Sequence, residues 1–507
     1  MRRMGNWSNT KVRRYTYAGQ EVWTREWIVR DEQELRDALA RAALKGWRVA
    51  VRAGETAFDM HALNTELVLK LQGFDAVGAV QRVDLPSGYT YGTITVGANA
   101  TWREILEKTR ADGFVPHVMV SSSRATAGGT LSADCLSRFS PTCGKEGAHV
   151  ESFCLMKADG SVVRCSRTEN DDLFFGVIGG FGYLGVVLEV SYRLLHVGTS
   201  NIVVKTEFEN YVGLSQLAKL LVQEVAGRPA TGVNRAPDEV PPLAEIELAD
   251  ARAVSAVLWM NAERQGFVMR STYEDGALVQ GDPVLFHEPK KIWHRLLQFA
   301  VMGDLVRRIG YEIMLDIFMK IEAREPAVDE LEGFTFFQDG NDTTKRFLRK
   351  LGFPTGIRQQ TYVIPVVPGD DAATEARLAK FLNDADALMD ARRLLPVLLD
   401  VLYLPAEGEG FALSSTRGLA GYAVTITFEE LLRDTFPEEE AALADIAAMA
   451  HALGGRVHLV KNVFGDSAAI EASYAAGITQ LAALKATHDP GMRFGSSFLR
   501  RVLPTLA

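Results

Sequence analysis

The chain has 507 residues, 47% hydrophobic and 23% charged, with a net charge of −9. That length exceeds one ordinary core and implies two or three globular domains. The acidic balance argues against a general nucleic-acid role, which needs a basic face.

Cys135, Cys143, Cys154 and Cys165 are the four cysteines. They contain no C-x-x-C pair and are too few for a disulfide framework, so reduced thiols in a cytoplasmic protein are expected, and a metal site is not. No apolar run follows Arg2 and Arg3, so the start does not read as a signal peptide. No apolar stretch reaches the roughly 18 residues of a membrane-spanning helix.

Residues 20–200 read as short strands, helices and glycine turns. Residues 32–44 form an amphipathic helix and 47–52 a strand; 93–97 is a strand and 101–111 a helix with Thr101 as its N-cap. Strands follow at 150–158 and 161–166, a helix at 171–177 and a strand at 186–194. After Val197 the composition shifts. Long helices alternate with isolated strands at 253–260, 360–366 and 421–428, broken by proline at 237–242 and 365–368. The last stretch, 456–507, holds a strand, a helix and a turn at His488 to Gly491. The expected domains are 15–198, 199–455 and 456–507.

Four stretches have residues suited to chemistry. In Arg52, Ala53, Gly54, Glu55, Thr56 and Ala57, small residues after a strand leave backbone N–H groups able to cradle a phosphate; an ordinary turn is the plainer alternative. Ser121, Ser122, Ser123, Thr126, Gly128, Gly129 and Ser132 combine hydroxyls with paired glycines that admit close backbone approach. Gly180, Gly182 and Gly185 spell G-x-G-x-x-G, but a helix precedes and a strand follows. That order is the reverse of a Rossmann fingerprint, and it suggests a wall close to something flat. His458 and Lys461 would face opposite sides if both lay on a strand, and Lys461 is then the better candidate beside an anion.

The order of these motifs resembles the vanillyl-alcohol-oxidase, or PCMH-type, FAD-binding oxidoreductase family over roughly residues 20–200. The motifs are Arg52-x-Gly54, Ala127-Gly-Gly-Thr-Leu131, Ala158-Asp-Gly-Ser-Val-Val163 and Gly179-Gly-Phe-Gly-x-Leu-Gly-Val-Val187. The ending, with Lys461, Tyr474, His488-Asp-Pro490, Phe494-Gly-Ser-Ser497 and Arg500-Arg-Val-Leu503, is similar to aldonolactone oxidases and more so to decaprenylphosphoryl-ribose oxidases. The resemblance implies an α+β fold: a two-subdomain FAD-binding domain and an α+β cap with an antiparallel sheet. It implies that residues 52–57 meet the FAD pyrophosphate. Ser121 to Ser123, Gly128 and Gly129 would flank the pyrophosphate and the flavin, with Thr126 and Ser132 in the same stretch. Gly180, Gly182, Gly185 and Val187 would lie towards the adenosine. Val120 would sit over the oxygen-reactive edge, where its branched side chain favours an electron acceptor other than oxygen. Thr56 replaces the histidine that many relatives bond to the flavin, so FAD is expected to be non-covalent. Leu459 replaces a tryptophan of the aldonolactone oxidases, which weakens a sugar-lactone assignment.

The implied chemistry is oxidation of a CH–OH group in a bulky, hydrophobic or sugar-like alcohol by hydride transfer to flavin N5. Lys461 is the leading catalytic candidate, followed by His458, Tyr362, Gln359 and Tyr403. Core packing is the alternative for the last four, and a solvated strand end for Lys461. A flavin-dependent C=C reductase like the sterol side-chain reductases is the competing enzyme, and a flavin-binding scaffold the competing non-enzyme. Residues 288–325 carry large apolar residues at helical spacing with basic ones between. They read as core helices, or as a surface that guides a lipid-like substrate or makes peripheral membrane contact.

Overall fold

Short capping signals decide where the first elements begin. Asp31 accepts the N–H of Glu34 and starts α1 (Glu32–Lys45), and Gly46, at φ 66°, ends it by donating to the Ala42 and Ala43 carbonyls. Leu35, Ala38, Leu39 and Ala42 recur at helical spacing and bury one face against Val49, Leu67 and Leu69. These belong to a four-stranded sheet of β1 (Thr10–Tyr17), β2 (Gln20–Val29), β3 (Val49–Arg52) and β4 (Leu67–Leu71). Its order is β1-β2-β4-β3, and β4 runs parallel to both β2 and β3. The computed structural model describes residues 10–17, 20–225, 245–258, 264–279, 326–339, 356–396, 398–429 and 436–506.

The second sheet is antiparallel. It contains β5 (Gln81–Asp84), β6 (Thr90–Gly97), β7 (Phe114–Pro116), β8 (Val150–Met156), β9 (Val162–Ser166) and β10 (Val186–His196). The order is β5-β6-β10-β8-β9, with β7 also paired to β10. Helix α2 (Trp102–Ala111) starts on a capping box between Thr101 and Glu104. Helices α3 (Ala127–Ala133), α4 (Ser140–Cys143) and α5 (Asp171–Val177) complete this part.

The third sheet has eight antiparallel strands: β11 (Ile202–Val212), β12 (Arg252–Leu258), β13 (Gln265–Asp275), β14 (Ala327–Glu330), β15 (Ile357–Pro365), β16 (Leu398–Leu404), β17 (Gly421–Glu429) and β18 (Arg456–Val457). They run β14-β11-β13-β12-β16-β17-β15-β18. The associated helices are α6 (Leu214–Val225), α7 (Leu331–Thr335), α8 (Asp371–Ala391) and α9 (Phe436–Ala452). One face is covered by helices: Tyr362 donates its hydroxyl to Leu443 of α9 and Tyr422 to Leu221 of α6. The other face meets the segment after α3. Val363, Leu402, Leu404 and Ala423 pack with Leu136, and Tyr273 stacks on Phe139 at 4.5 Å.

Helices α10 (Ser467–Ser473), α11 (Ala475–His488) and α12 (Ser497–Val502) end the chain. Between the last two, the backbone returns to the first sheet: Val49 N–H donates to Arg493 (2.7 Å) and Gly495 N–H to Val49 (3.0 Å). Buried Lys485 donates to the carbonyls of Tyr183 and Phe494, each at 2.6 Å, and pairs with Asp489 at 2.6 Å.

The four cysteines are unpaired. Among the described residues no helix is long and apolar enough to cross a membrane, and no three His, Cys, Asp or Glu side chains converge as metal ligands. The apolar stretch 288–325, the proline break at 237–242 and the end of the expected strand 253–260 lie outside the described residues.

Candidate active site

Three backbone segments converge between the sheets. The loop after β3 holds Arg52 to Ala57, where Arg52 pairs with Glu55 at 3.1 Å and Lys70 with Glu55 at 2.6 Å. Its N–H groups from Ala53 to Phe58 make no hydrogen bond among the described residues. The loop leading into α3 lies directly against it: a Cβ on Gly54 would come within 2.6 Å of the Arg124 carbonyl, while Gly128 packs on the residue after β6, where a Cβ would come within 2.7 Å of the Ala98 Cβ. Asp339, beyond α7, pins this second loop by accepting from Ser123 N–H (3.1 Å) and Arg103 (3.2 Å).

The third segment is the turn after β18. Asn462 donates to the Phe58 carbonyl (2.8 Å) and accepts from Gln359 N–H (2.8 Å). Asp59 accepts from Val463 N–H at 3.3 Å and from Arg501 at 2.5 Å. This lacing sets the Lys461 ammonium 3.9 Å from the Phe58 ring centroid, and it makes no ion pair or hydrogen bond among the described residues. Burial lowers its pKa to about 8, against the opposing pull of Cys135 and Asp400.

His458 is 3% exposed. Its Nδ1 lies 2.9 Å from Ser415 Oγ, and its Nε2 has no partner. Burial, then Lys145, Lys461 and His61, push it well below the usual imidazole range, so it is neutral. The strand ends at Val457, so strand alternation does not separate His458 from Lys461, contrary to the expectation above. The turn leaves His458 within electrostatic reach of Lys461.

The sheet face turned towards α3 is polar here. Gln359 donates to Thr427 at 2.8 Å, while its Oε1 is buried without a partner. Thr361 and Thr425 hydroxyls meet at 2.8 Å. Asp400 stands opposite Thr425 in the register and therefore on the same face. Its carboxyl is pushed up to about 6 by burial, although Arg138 and Lys461 pull it down. Arg138 lies over the Phe337 ring at 3.8 Å and donates to the Phe334 carbonyl at 3.0 Å.

Tyr362 and Tyr403 do not join this group. Both alternate to the helix-covered face, where Tyr362 is fully buried and Tyr403 packs on Tyr422 at 5.6 Å. Gly180 and Gly185 are explained by the protein's own backbone, since added Cβ atoms would lie 2.3 Å from Gly176 O and 2.7 Å from Met156 O. Gly182, at φ 71°, has open space around it. Val187 is buried in β10, opposite Leu155 of β8. Val120 is partly buried against the core. Ser132 donates to Gly128 at 2.7 Å and accepts Phe181 N–H.

Sequence reasoning passed over Asp400, Arg138, Asp339 and Asn462. A lone carboxylate in the apolar strand Leu398–Leu404 was the available signal for Asp400. It also passed over a buried clasp. Lys145 donates to Asp134 at 2.5 Å and to Ser414 at 2.9 Å, and lies 2.6 Å from Glu407.

Comparison with known proteins decides the cofactor. Residues 26–166 match the FAD binding domain family. That match covers 141 of the 507 residues of the chain. Its cofactor is FAD. The chain is also similar to an uncharacterized oxidoreductase, ORF5 in the fasciation locus of Rhodococcoides fascians. The two are 26% identical over 207 residues, 40% of this chain and 45% of that protein. Cytokinin dehydrogenase 7 of Oryza sativa subsp. japonica is 30% identical over 102 residues, 20% of each chain. Cytokinin dehydrogenase 8 of Oryza sativa subsp. indica is 37% identical over 92 residues, 18% of this chain and 17% of that one. The chain thus spans less than half the length of these relatives.

The geometry of the FAD-binding domain fits the cofactor. Unpaired N–H groups in the first loop suit a pyrophosphate. The Thr126 hydroxyl beside Gly129 is buried without a partner. So are His458 Nε2 and Gln359 Oε1 near Lys461. Buried polar atoms left unpaired in a folded chain are costly, and a polar flat ligand between the sheets would satisfy them.

Proposed function

We propose that the chain is an FAD-dependent oxidoreductase that oxidises a CH–OH group of a bulky alcohol, with the eight-stranded sheet as its substrate-binding cap. Lys461 carries this reading: an unpaired, half-buried cation stands where the first FAD loop meets the polar sheet face. Residues 52–57 would hold the pyrophosphate, and Ser121 to Ser123 with Thr126, Gly128 and Gly129 would flank the rest of the cofactor. Bound FAD supplies the hydride acceptor. Lys461 orients the substrate hydroxyl and stabilises negative charge as it develops on oxygen. Gln359 and His458 position the ring edge from their unpaired polar atoms. Thr56 offers no imidazole for a covalent link, so FAD is held non-covalently. The resemblance read from the motifs between Lys461 and Leu503 would make the substrate a sugar-like or lipid-linked alcohol. The branched Val120 supports an electron acceptor other than oxygen.

Anaerobic mixing with a panel of sugar-like and hydrophobic alcohols tests the reading. Bleaching of the flavin band by an alcohol is the expected result. Bleaching by NADPH alone, followed by reoxidation with an alkene, would replace it with the C=C reductase.

A further inference from the structure

The sheet face that meets the FAD-binding domain carries one acidic side chain in the middle of its polar patch. Asp400 lies on β16 across from Thr425, which lies across from Thr361 on β15. All three share the face on which Leu402 packs against Leu136. Asp400 is half-buried; it takes a backbone hydrogen bond from Val401 and makes no ion pair or hydrogen bond to another side chain among the described residues. Two cations act on it, Arg138 from the segment after α3 and Lys461 from the turn after β18. Arg138 is in turn subject to Asp329 on β14, and Lys461 to Cys135. A carboxylate held between two cations without touching either leaves room for a ligand group.

We propose that Asp400 accepts the proton that leaves the substrate hydroxyl. This rests on the oxidoreductase reading above. The substrate C–H bond breaks with its electron pair, which leaves as hydride to FAD. The O–H bond breaks and its proton goes to an Asp400 carboxylate oxygen. The carbon–oxygen double bond forms, and Lys461 steadies the oxygen while it carries charge. Asp400 is ionised above about pH 6, and Lys461 is charged below about 8. Both groups are in working form between those limits, which gives a bell-shaped profile.

The experiment compares wild type, Asp400→Asn and Asp400→Glu, each with FAD bound. The rate of anaerobic flavin bleaching by an active alcohol is followed from pH 5 to 9. Carboxyl-labelled aspartate is followed by NMR in parallel, without substrate. Wild type should show an acid limb near 6 and an alkaline limb near 8. Asp400→Asn should keep its FAD, lose on the order of 100-fold or more in rate, and lose the acid limb. Asp400→Glu should restore part of the rate. A resonance titrating near 6 should be missing from Asp400→Asn. An Asp400→Asn protein that keeps the acid limb, or bleaches within a few-fold of wild type, overturns the assignment while leaving the oxidoreductase reading intact. If no alcohol bleaches wild type, that reading fails and this one with it.

Discussion

Replacing Lys145 with methionine removes the cation from a clasp that joins the two halves of the molecule. The side chains of Lys145 and Asp134 are each 2% exposed and that of Glu407 9%, so water cannot take the place of the ammonium. Asp134 keeps one hydrogen bond from Gly147 N–H at 2.9 Å, and Glu407 keeps the hydroxyls of Ser414 and Thr416. Two neighbouring carboxylates then face each other without a counter-charge. Breaking a buried pair in this way costs about 3–5 kcal/mol. The lower end is expected near neutral pH. Burial and the Asp134 charge already push Glu407 up to about 7, so it takes up a proton readily. The remaining cost belongs mainly to Asp134. In the variant Glu407, already raised by burial, loses its counter-charge, so the deficit should be largest at pH 8 and shrink as Glu407 takes up its proton through pH 7 and below. Urea unfolding followed by tryptophan fluorescence at pH 8 and pH 6 measures this. Adding Asp134→Asn should recover most of the loss. A loss below about 1 kcal/mol, or one equal at both pH values, would refute the reasoning, because a solvated ion pair behaves that way.

Acid precipitation should release all flavin into the supernatant, since Thr56 cannot bond it; yellow colour retained in the pellet would point instead to a cysteinyl link. Lys461→Ala should retain FAD but lose about 3 kcal/mol of transition-state stabilisation, roughly 100-fold in turnover; near-normal turnover would remove Lys461 from the chemistry. His117 and His149 stack with ring centroids 4.0 Å apart. Burial holds His149 down to about 4 and His117 well below its ordinary value. The unfolded chain therefore binds protons that the folded chain refuses. The stability they contribute is complete above about pH 6.5 and is lost as pH falls towards 4, about 3 kcal/mol for His149 alone. Urea midpoints between pH 7.5 and 4.5 should fall less steeply in His149→Gln than in wild type, and parallel curves would show that other groups control the acid transition.

The parts of this fold that were legible in sequence are those decided locally. Asp31 and Gly46 bracket α1, and Thr101 with Glu104 starts α2 within a residue of expectation. Three outcomes depended on distant contacts. β15 is buried on both sides from Arg358 to Ile364, so no alternation of polarity told which face Tyr362 or Gln359 would take. The end of β18 at Val457 depends on its short pairing with β15, and that ending leaves His458 within electrostatic reach of Lys461. Asp400 and Arg138 are 262 positions apart, and only the packing of α3's exit against the eight-stranded sheet relates them.

The strand-like pairing of Arg493 and Gly495 with Val49 has a consequence for synthesis. Val49 precedes the first FAD loop by only a few residues, yet its backbone partners Arg493 and Gly495 are made more than 440 residues later. Asn462 and Arg501 likewise hold Phe58 and Asp59 from 404 and 442 residues further along the sequence. The region that matches the FAD binding domain family is therefore translated early but completed late. Until residues 493–495 are made, β3 is an open edge of the first sheet, and the nascent chain must keep that edge out of contact with its neighbours.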